Sequence, residues 1–121
     1  MTFDGAPVLD QAVIDELRAA TGDDEAFIVD LVETYLTEGA ANLEDMLAAA
    51  AAIDAEAIVR PAHTLKSSSA SLGAMRLSTI CKAIEEAGRA SRTDTLREDV
   101  ELARTTWDAT LAAFSDAGFG R

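Results

Sequence analysis

Apolar residues recur at helical spacing along most of this chain, and this periodicity constrains the fold more than any other feature of the sequence. In the clearest case, Leu77, Ile80, Cys81, Ile84 and Gly88 occupy positions i, i+3, i+4, i+7 and i+11. All five positions lie on one face of an α-helix, because the helix turns once every 3.6 residues. Cys81 is therefore predicted to be a core residue. A chain built from such segments has to bury each apolar face against another helix.

Capping residues divide the rest of the chain into similar segments. Asp10 and Asp54 are predicted N-caps, and either Asp23 or Asp24 caps a further helix. The predicted helices are a short one from residue 9 to residues 21–22, a long one from residue 23 or 24 to about residue 51, one from residue 54 to about 72, the one around residues 77–88, and a last one from about residue 94 to residue 114.

Two residues inside these helices are unfavourable there. Gly39 costs about 1 kcal/mol relative to alanine, and a bend or a close neighbour would explain its presence. Pro61 lacks an N–H group and its ring crowds the carbonyl of Ala57. The third helix is therefore predicted to kink or restart just before His63.

The succession of helices predicts an all-α fold. Four amphipathic helices with short connections indicate an antiparallel up-down four-helix bundle, with a short additional helix at the N-terminus. The 121 residues suit one domain with a single core, residues 1–121. Residues 1–8 and 116–121 are expected to be flexible.

Charge excludes two classes of partner. Lys and Arg number 10 against 22 Asp and Glu, a net charge of −12, so neither nucleic acid nor an anionic membrane is expected as a partner. Residues 60–92 differ from the rest, with six basic and two acidic side chains. These cations either pair with the acidic remainder of the chain or attract an anionic group.

The cysteine count and the hydropathy pattern indicate a cytoplasmic protein. One cysteine excludes an internal disulfide, and no charged segment followed by an apolar run suggests secretion. No apolar stretch approaches the roughly 20 residues of a membrane span.

The single histidine lies off the apolar stripe of its helix. His63 lies roughly 150° from the centre of that stripe by helix arithmetic, on the same side as Lys66, Ser67 and Ala70. A core histidine would lie on the stripe, and a metal site would need further ligands. An exposed imidazole can act as a nucleophile when unprotonated. The stripe itself, within roughly 60°, consists of Ile58, Ala62, Leu65, Ser69 and Leu72.

The neighbours of His63 fit phosphoryl transfer, which depends on position and on neutralising charge. Lys66 can place a cation beside phosphoryl oxygens; alternatively, it is a surface lysine that pairs with an acid. Ser67 and Ala70 leave room for a partner's aspartate to approach in line, although small residues also fit a bundle.

This segment resembles the phosphorylation-site helix of the histidine-containing phosphotransfer (HPt) domain, approximately A-H-x-L-K-[G/S]-x-[S/A]-x-x-x-G followed by a leucine, a cysteine and an acidic or amide residue. Ser67 stands where many members have glycine. The matching residues are Ala62, His63, Leu65, Lys66, Ser67, Ser68, Gly73, Leu77, Cys81 and Glu85.

The resemblance implies roles that spacing alone does not. His63 would be the transient phosphorylation site, and Glu85 would hydrogen-bond the other imidazole nitrogen, which makes Nε2 the attacking atom. Arg89 matches a place where some members carry a basic residue near the site, but a solvated surface role is an equal alternative. The partners implied are receiver domains of a hybrid sensor kinase and/or a response regulator, which hold the Mg²⁺ themselves.

No nucleotide-binding signature is present, so autonomous kinase activity is not expected. We interpret the chain as a monomeric phosphorelay intermediate with no cofactor or metal of its own, which accepts a phosphoryl group on His63 from a receiver aspartate and passes it to another receiver domain. The alternative is a non-phosphorylated interaction module that docks on a receiver domain and blocks it.

Overall fold

A computed structural model describes residues 5–119 of the chain. This part contains five α-helices and no β-strand, so the predicted all-α class is confirmed at that level. None of these helices is both long enough and apolar enough to cross a membrane. The helices are α1 (Gln11–Ala20), α2 (Glu25–Ala51), α3 (Ala55–Ser71), α4 (Met75–Arg89) and α5 (Leu96–Asp116).

The helix starts follow from local capping chemistry. Asp10, Asp24 and Asp54 each accept a hydrogen bond from a backbone N–H group in the first turn of the next helix. Asp24, not Asp23, is therefore the cap of α2. Asp23 instead has a φ of +63° directly after Gly22, in the turn between α1 and α2.

The last helix is displaced from its predicted bounds by two residues at each end. It begins at Leu96 instead of residue 94 and ends at Asp116 instead of residue 114. Thr95 precedes the helix and makes no side-chain cap hydrogen bond.

Each long helix packs against two others. Helix α3 packs on α2 and α4, helix α5 packs on α2 and α4, and α1 contacts α2. The core between them is apolar, and Cys81 is fully buried in it, where burial raises the pKa of its thiol to about 12. The largest fully buried side chains are Phe114, Ile14, Ile28, Met46, Ile58, Leu65, Leu77, Ile80, Ile84 and Leu96.

The structure shows the surroundings of the two residues that are unfavourable inside helices, Gly39 and Pro61. A Cβ at Gly39 would lie 2.5 Å from Cη2 of Trp107, so the close neighbour predicted there is present. Pro61 is buried, and α3 is continuous through it. The helix therefore does not restart before His63, because losing the one backbone hydrogen bond at proline does not end it, and the predicted kink stays a prediction.

Residues expected to be flexible make contacts where the structure describes them. Phe119 is buried and its ring lies 6.4 Å from that of Phe114. Near the other end, the carbonyl of Pro7 accepts a hydrogen bond from Arg76 N. Residues 1–4 and 120–121 lie outside the described residues, and the flexibility of the two ends stays a prediction.

Candidate functional site

His63 projects from the exposed side of α3, as helix arithmetic predicted. Its side chain is 53% exposed, whereas its neighbour Ala62 is fully buried. Nδ1 of the imidazole lies 3.0 Å from Oε2 of Glu85 on α4. One ring nitrogen is thus held by a carboxylate, which leaves Nε2 as the nitrogen without a partner in the described part of the chain.

Two contacts between α3 and α4 bring Glu85 to this position. Ser78 Oγ donates a hydrogen bond of 2.9 Å to the carbonyl of Lys66. Two to three turns further along α4, Gly88 lets the helices approach so closely that a Cβ would lie 2.8 Å from Cγ2 of Ile58. Glu85 lies between these two contacts on α4, where its side chain meets that of His63.

Glu85 is the centre of a charged network. Its side chain is only 7% exposed. Besides the imidazole, it contacts Lys66, whose Nζ lies 2.6 Å from Oε1, and Arg89, whose Nε and Nη2 lie 3.0 and 2.7 Å from Oε2. One buried carboxylate therefore orients three polar side chains at the surface.

The network keeps Glu85 ionised. Burial alone raises the pKa of this carboxyl, because it disfavours the charged form. Hydrogen bonds from Lys66, Arg89 and His63 outweigh that effect and lower the pKa to about 2. Since a depressed pKa stabilises the folded state only while the group is charged, this contribution is present above about pH 4.5 and is lost as the pH falls toward 2.

The two cations of the network, Lys66 and Arg89, both pair with Glu85. Lys66 is 28% exposed and Arg89 is 60% exposed. The pairing of Lys66 with an acid, which we gave as the alternative to a role beside phosphoryl oxygens, is present. That acid is the same carboxylate that holds the imidazole, so the ammonium group and the ring are anchored at one point. Arg89 is likewise attached to the site.

The small residues predicted to admit a partner lie on the accessible side of α3. Ser67 is exposed and Ala70 is half-buried. The Ser67 carbonyl accepts a hydrogen bond of 3.0 Å from Ser71 Oγ, one turn further along the helix. The surface that leads from His63 along these positions therefore carries little bulk.

Sequence reasoning missed a groove on the other side of His63. It lies between α3 and the end of α4 and has a volume of about 700 Å³. Its lining includes Arg60, which had no predicted role. Residues four and seven positions apart on a helix share a face, so the spacing of Glu56, Arg60 and His63 was the available signal. The depth of the groove, however, depends on how α4 crosses α3.

Residues 5–119 contain no group of three or more His, Cys, Asp or Glu side chains that is arranged to hold a metal ion. That the protein needs no metal or cofactor of its own stays a prediction. The arrangement around His63 instead suits a nucleophile. When a carboxylate accepts a hydrogen bond from Nδ1–H, the lone pair of the ring is on Nε2, which can then act as the nucleophile.

Comparisons with known proteins identify the family and the fold. The model of the Hpt domain matches residues 30–117. The fold is similar to the crystal structure of histidine-containing phosphotransfer protein B (HptB) from Pseudomonas aeruginosa PAO1, with a TM-score of 0.84 and 27% sequence identity. That match covers 93% of this chain and 95% of the other. No curated protein sequence matches the chain.

Proposed function

Because this chain belongs to the Hpt domain family of histidine phosphotransfer proteins, we propose that it is a phosphorelay intermediate with His63 as its phosphorylation site. It accepts a phosphoryl group from the aspartate of one receiver domain and passes it to another. The observation that supports this most is the exposed imidazole whose Nδ1 lies 3.0 Å from a buried carboxylate, while Nε2 has no partner among residues 5–119.

The transfer is one displacement at phosphorus. The Nε2 lone pair forms the N–P bond, the bond from phosphorus to the aspartate oxygen breaks, and the aspartate leaves as a carboxylate. The Nδ1 proton stays on the ring, facing Glu85, whose negative charge balances the positive charge that develops on the imidazole. Onward transfer is the same step in reverse.

Charge beside the phosphoryl group comes from Lys66 in this proposal. Its Nζ is anchored to Glu85, on the carboxylate oxygen that the imidazole does not use. An ammonium group held there neutralises phosphoryl oxygens without having to be ordered during the reaction. Ser67 and Ala70 keep the approach open, and Arg89 borders it.

The proposal also covers the arrangement of the helices, the location of the protein and its partners. The four long helices form an antiparallel up-down bundle, supported by the ring of contacts from α2 through α3 and α4 to α5 and back to α2. Residues 1–121 act as one cytoplasmic, monomeric domain. The receiver domains belong to a hybrid sensor kinase and/or a response regulator and supply the Mg²⁺.

Labelling with a phosphorylated receiver domain tests the function. With Mg²⁺ present, the wild-type protein is expected to take up an acid-labile, alkali-stable label, and His63→Gln is expected to take up none. His63→Gln should keep its helix content and melting temperature, since an exposed side chain opens no cavity when replaced. Binding of the receiver without any label would favour the module that only blocks it, and unfolding of the variant would make the histidine structural.

A further inference from the structure

The groove beside His63 is bounded by one face of α3 and the end of α4. It adjoins the imidazole on the side away from Ser67 and Ala70. The groove is therefore directly beside the side chain that a partner has to reach. The lining residues are Glu56, Val59, Arg60, His63, Gly88, Arg89 and Ser91.

Close packing of the two helices gives the groove its shape. Gly88 contributes no side chain, and a Cβ there would lie 2.9 Å from both Ala55 O and Val59 Cγ2. The end of α4 therefore lies directly against α3, and a larger residue at position 88 would force the two helices apart. The groove beside this contact has a volume of about 700 Å³ and is lined mainly by charged and polar side chains.

The charges on the groove are unequal. Arg89 is already engaged by Glu85. Arg60 is exposed, and within residues 5–119 it forms no ion pair, although Glu56 lies one turn before it on the same helix. Arg60 therefore presents an uncompensated guanidinium group beside the reacting histidine, in a protein whose net charge is −12.

We propose that this groove docks an acidic side chain of the receiver domain that exchanges phosphate with His63, and that Arg60 pairs with it. The proposal rests on the proposed function and adds the feature by which the protein selects among receivers. An acidic protein repels acidic partners at long range, so a cationic surface next to the reactive atom orients the encounter. The guanidinium fork favours a carboxylate, which it can bind through two hydrogen bonds.

Charge reversal at two matched positions tests the pairing. Lys82 on α4 is also exposed and forms no ion pair in the part of the chain that the structure describes, but it does not line the groove. Arg60→Glu and Lys82→Glu change the net charge equally. Any difference in transfer between the two variants is therefore due to the position of the charge at the groove and not to the net charge of the protein.

The measurement is the rate of label transfer to His63 as the concentration of a phosphorylated receiver domain is varied, using the receiver that labels the wild type fastest. Arg60→Glu is expected to raise the concentration for half-maximal rate about tenfold while the maximal rate stays unchanged. Lys82→Glu should leave both values near those of the wild type. Added salt should narrow the difference between wild type and Arg60→Glu, because it screens the ion pair.

A charge swap identifies the occupant. Acidic surface residues of the same receiver are changed one at a time to arginine, and one of these changes is expected to restore transfer to Arg60→Glu while impairing it with the wild type. Equal concentration dependence for Arg60→Glu and Lys82→Glu, or the absence of any restoring change, would overturn the pairing. Arg60→Gln, checked for helix content, gives a milder test of the same shift if the reversal disturbs folding.

The outcomes separate the two proposals. Labelling of His63 in both variants with equal concentration dependence overturns the groove proposal and leaves the phosphorelay function intact. A wild-type protein that takes no label from any receiver domain overturns the function, and the groove proposal with it.

Discussion

Replacing Glu85 with glutamine isolates the charge of the buried carboxylate at the site. Glutamine keeps the size of the side chain and an oxygen that can accept a hydrogen bond from His63. It removes the negative charge that Lys66 and Arg89 share. The substitution therefore tests how much that charge stabilises the folded protein.

The magnitude follows from the pKa of Glu85. Lowering it from its ordinary value of 4.5 to about 2 corresponds to about 3 kcal/mol at pH 7, since one pKa unit is 1.36 kcal/mol. Arg89 is 60% exposed, so solvent screening reduces its share. We expect Glu85→Gln to lower the free energy of unfolding by about 1 to 3 kcal/mol at pH 7.

The pH dependence distinguishes this effect from a general packing defect. Because the folded-state pKa is the lower one, the contribution is complete above about pH 4.5 and declines as the pH falls toward 2. At pH 3, somewhat less than half should remain. The difference between wild type and Glu85→Gln, measured by urea unfolding at pH 7 and pH 3, is therefore expected to shrink by more than half.

Glu86 provides the control. It is the next residue on α4, it is exposed, and it forms no ion pair within the described residues. Glu86→Gln should change the unfolding free energy by less than about 0.5 kcal/mol at either pH. A wild-type to Glu85→Gln difference that stays constant between pH 7 and pH 3 would refute the reasoning, because the charge would then contribute nothing.

Substitutions at three further positions test the site. Lys66→Ala should slow transfer roughly ten- to a hundredfold in both directions, because it removes one charge-assisted contact of about 1.5 to 3 kcal/mol. Lys66→Arg should restore part of the transfer rate. Normal transfer kinetics with a lowered melting temperature would assign Lys66 to the ion pair with Glu85 alone. Ser67→Tyr should leave the melting temperature nearly unchanged but reduce transfer, and unchanged rates would show that the receiver docks elsewhere. Gly88→Ala should lower the unfolding free energy by about 1 to 3 kcal/mol, since its Cβ would lie 2.8 Å from Ile58 Cγ2; a more stable variant in urea unfolding would show that α4 moves away at no cost.

Local features of the sequence were sufficient to predict where most of the helices lie. The caps at Asp10 and Asp54 and the apolar stripe of α4 act over one or two turns, where backbone hydrogen bonding and helix geometry decide the outcome. The start of α5 lies two residues beyond the predicted one, at a position that no side chain caps. Of the two outcomes predicted from Pro61, a kink or a restart, the restart is absent, because one missing hydrogen bond does not end a helix whose apolar face is buried.

The direction of His63 was also a local property. Its angle from the apolar stripe of α3 follows from 3.6 residues per turn, and burying that stripe leaves the imidazole outside. The identity of its partner was not local. Ser78, Lys82, Glu85 and Arg89 form one polar row, and the spacing does not say which of them meets the imidazole.

Tertiary structure made that choice. The register of α4 on α3 places Glu85 at Nδ1 of His63, and Lys82 remains exposed on the same row. The sequence by itself determined an all-helical chain with one outward-facing histidine among small residues, because these follow from interactions within a helix. The ion pairs at Glu85 and the groove beside Arg60 depend on the distance and register between two helices, which only the packing of the whole core decides.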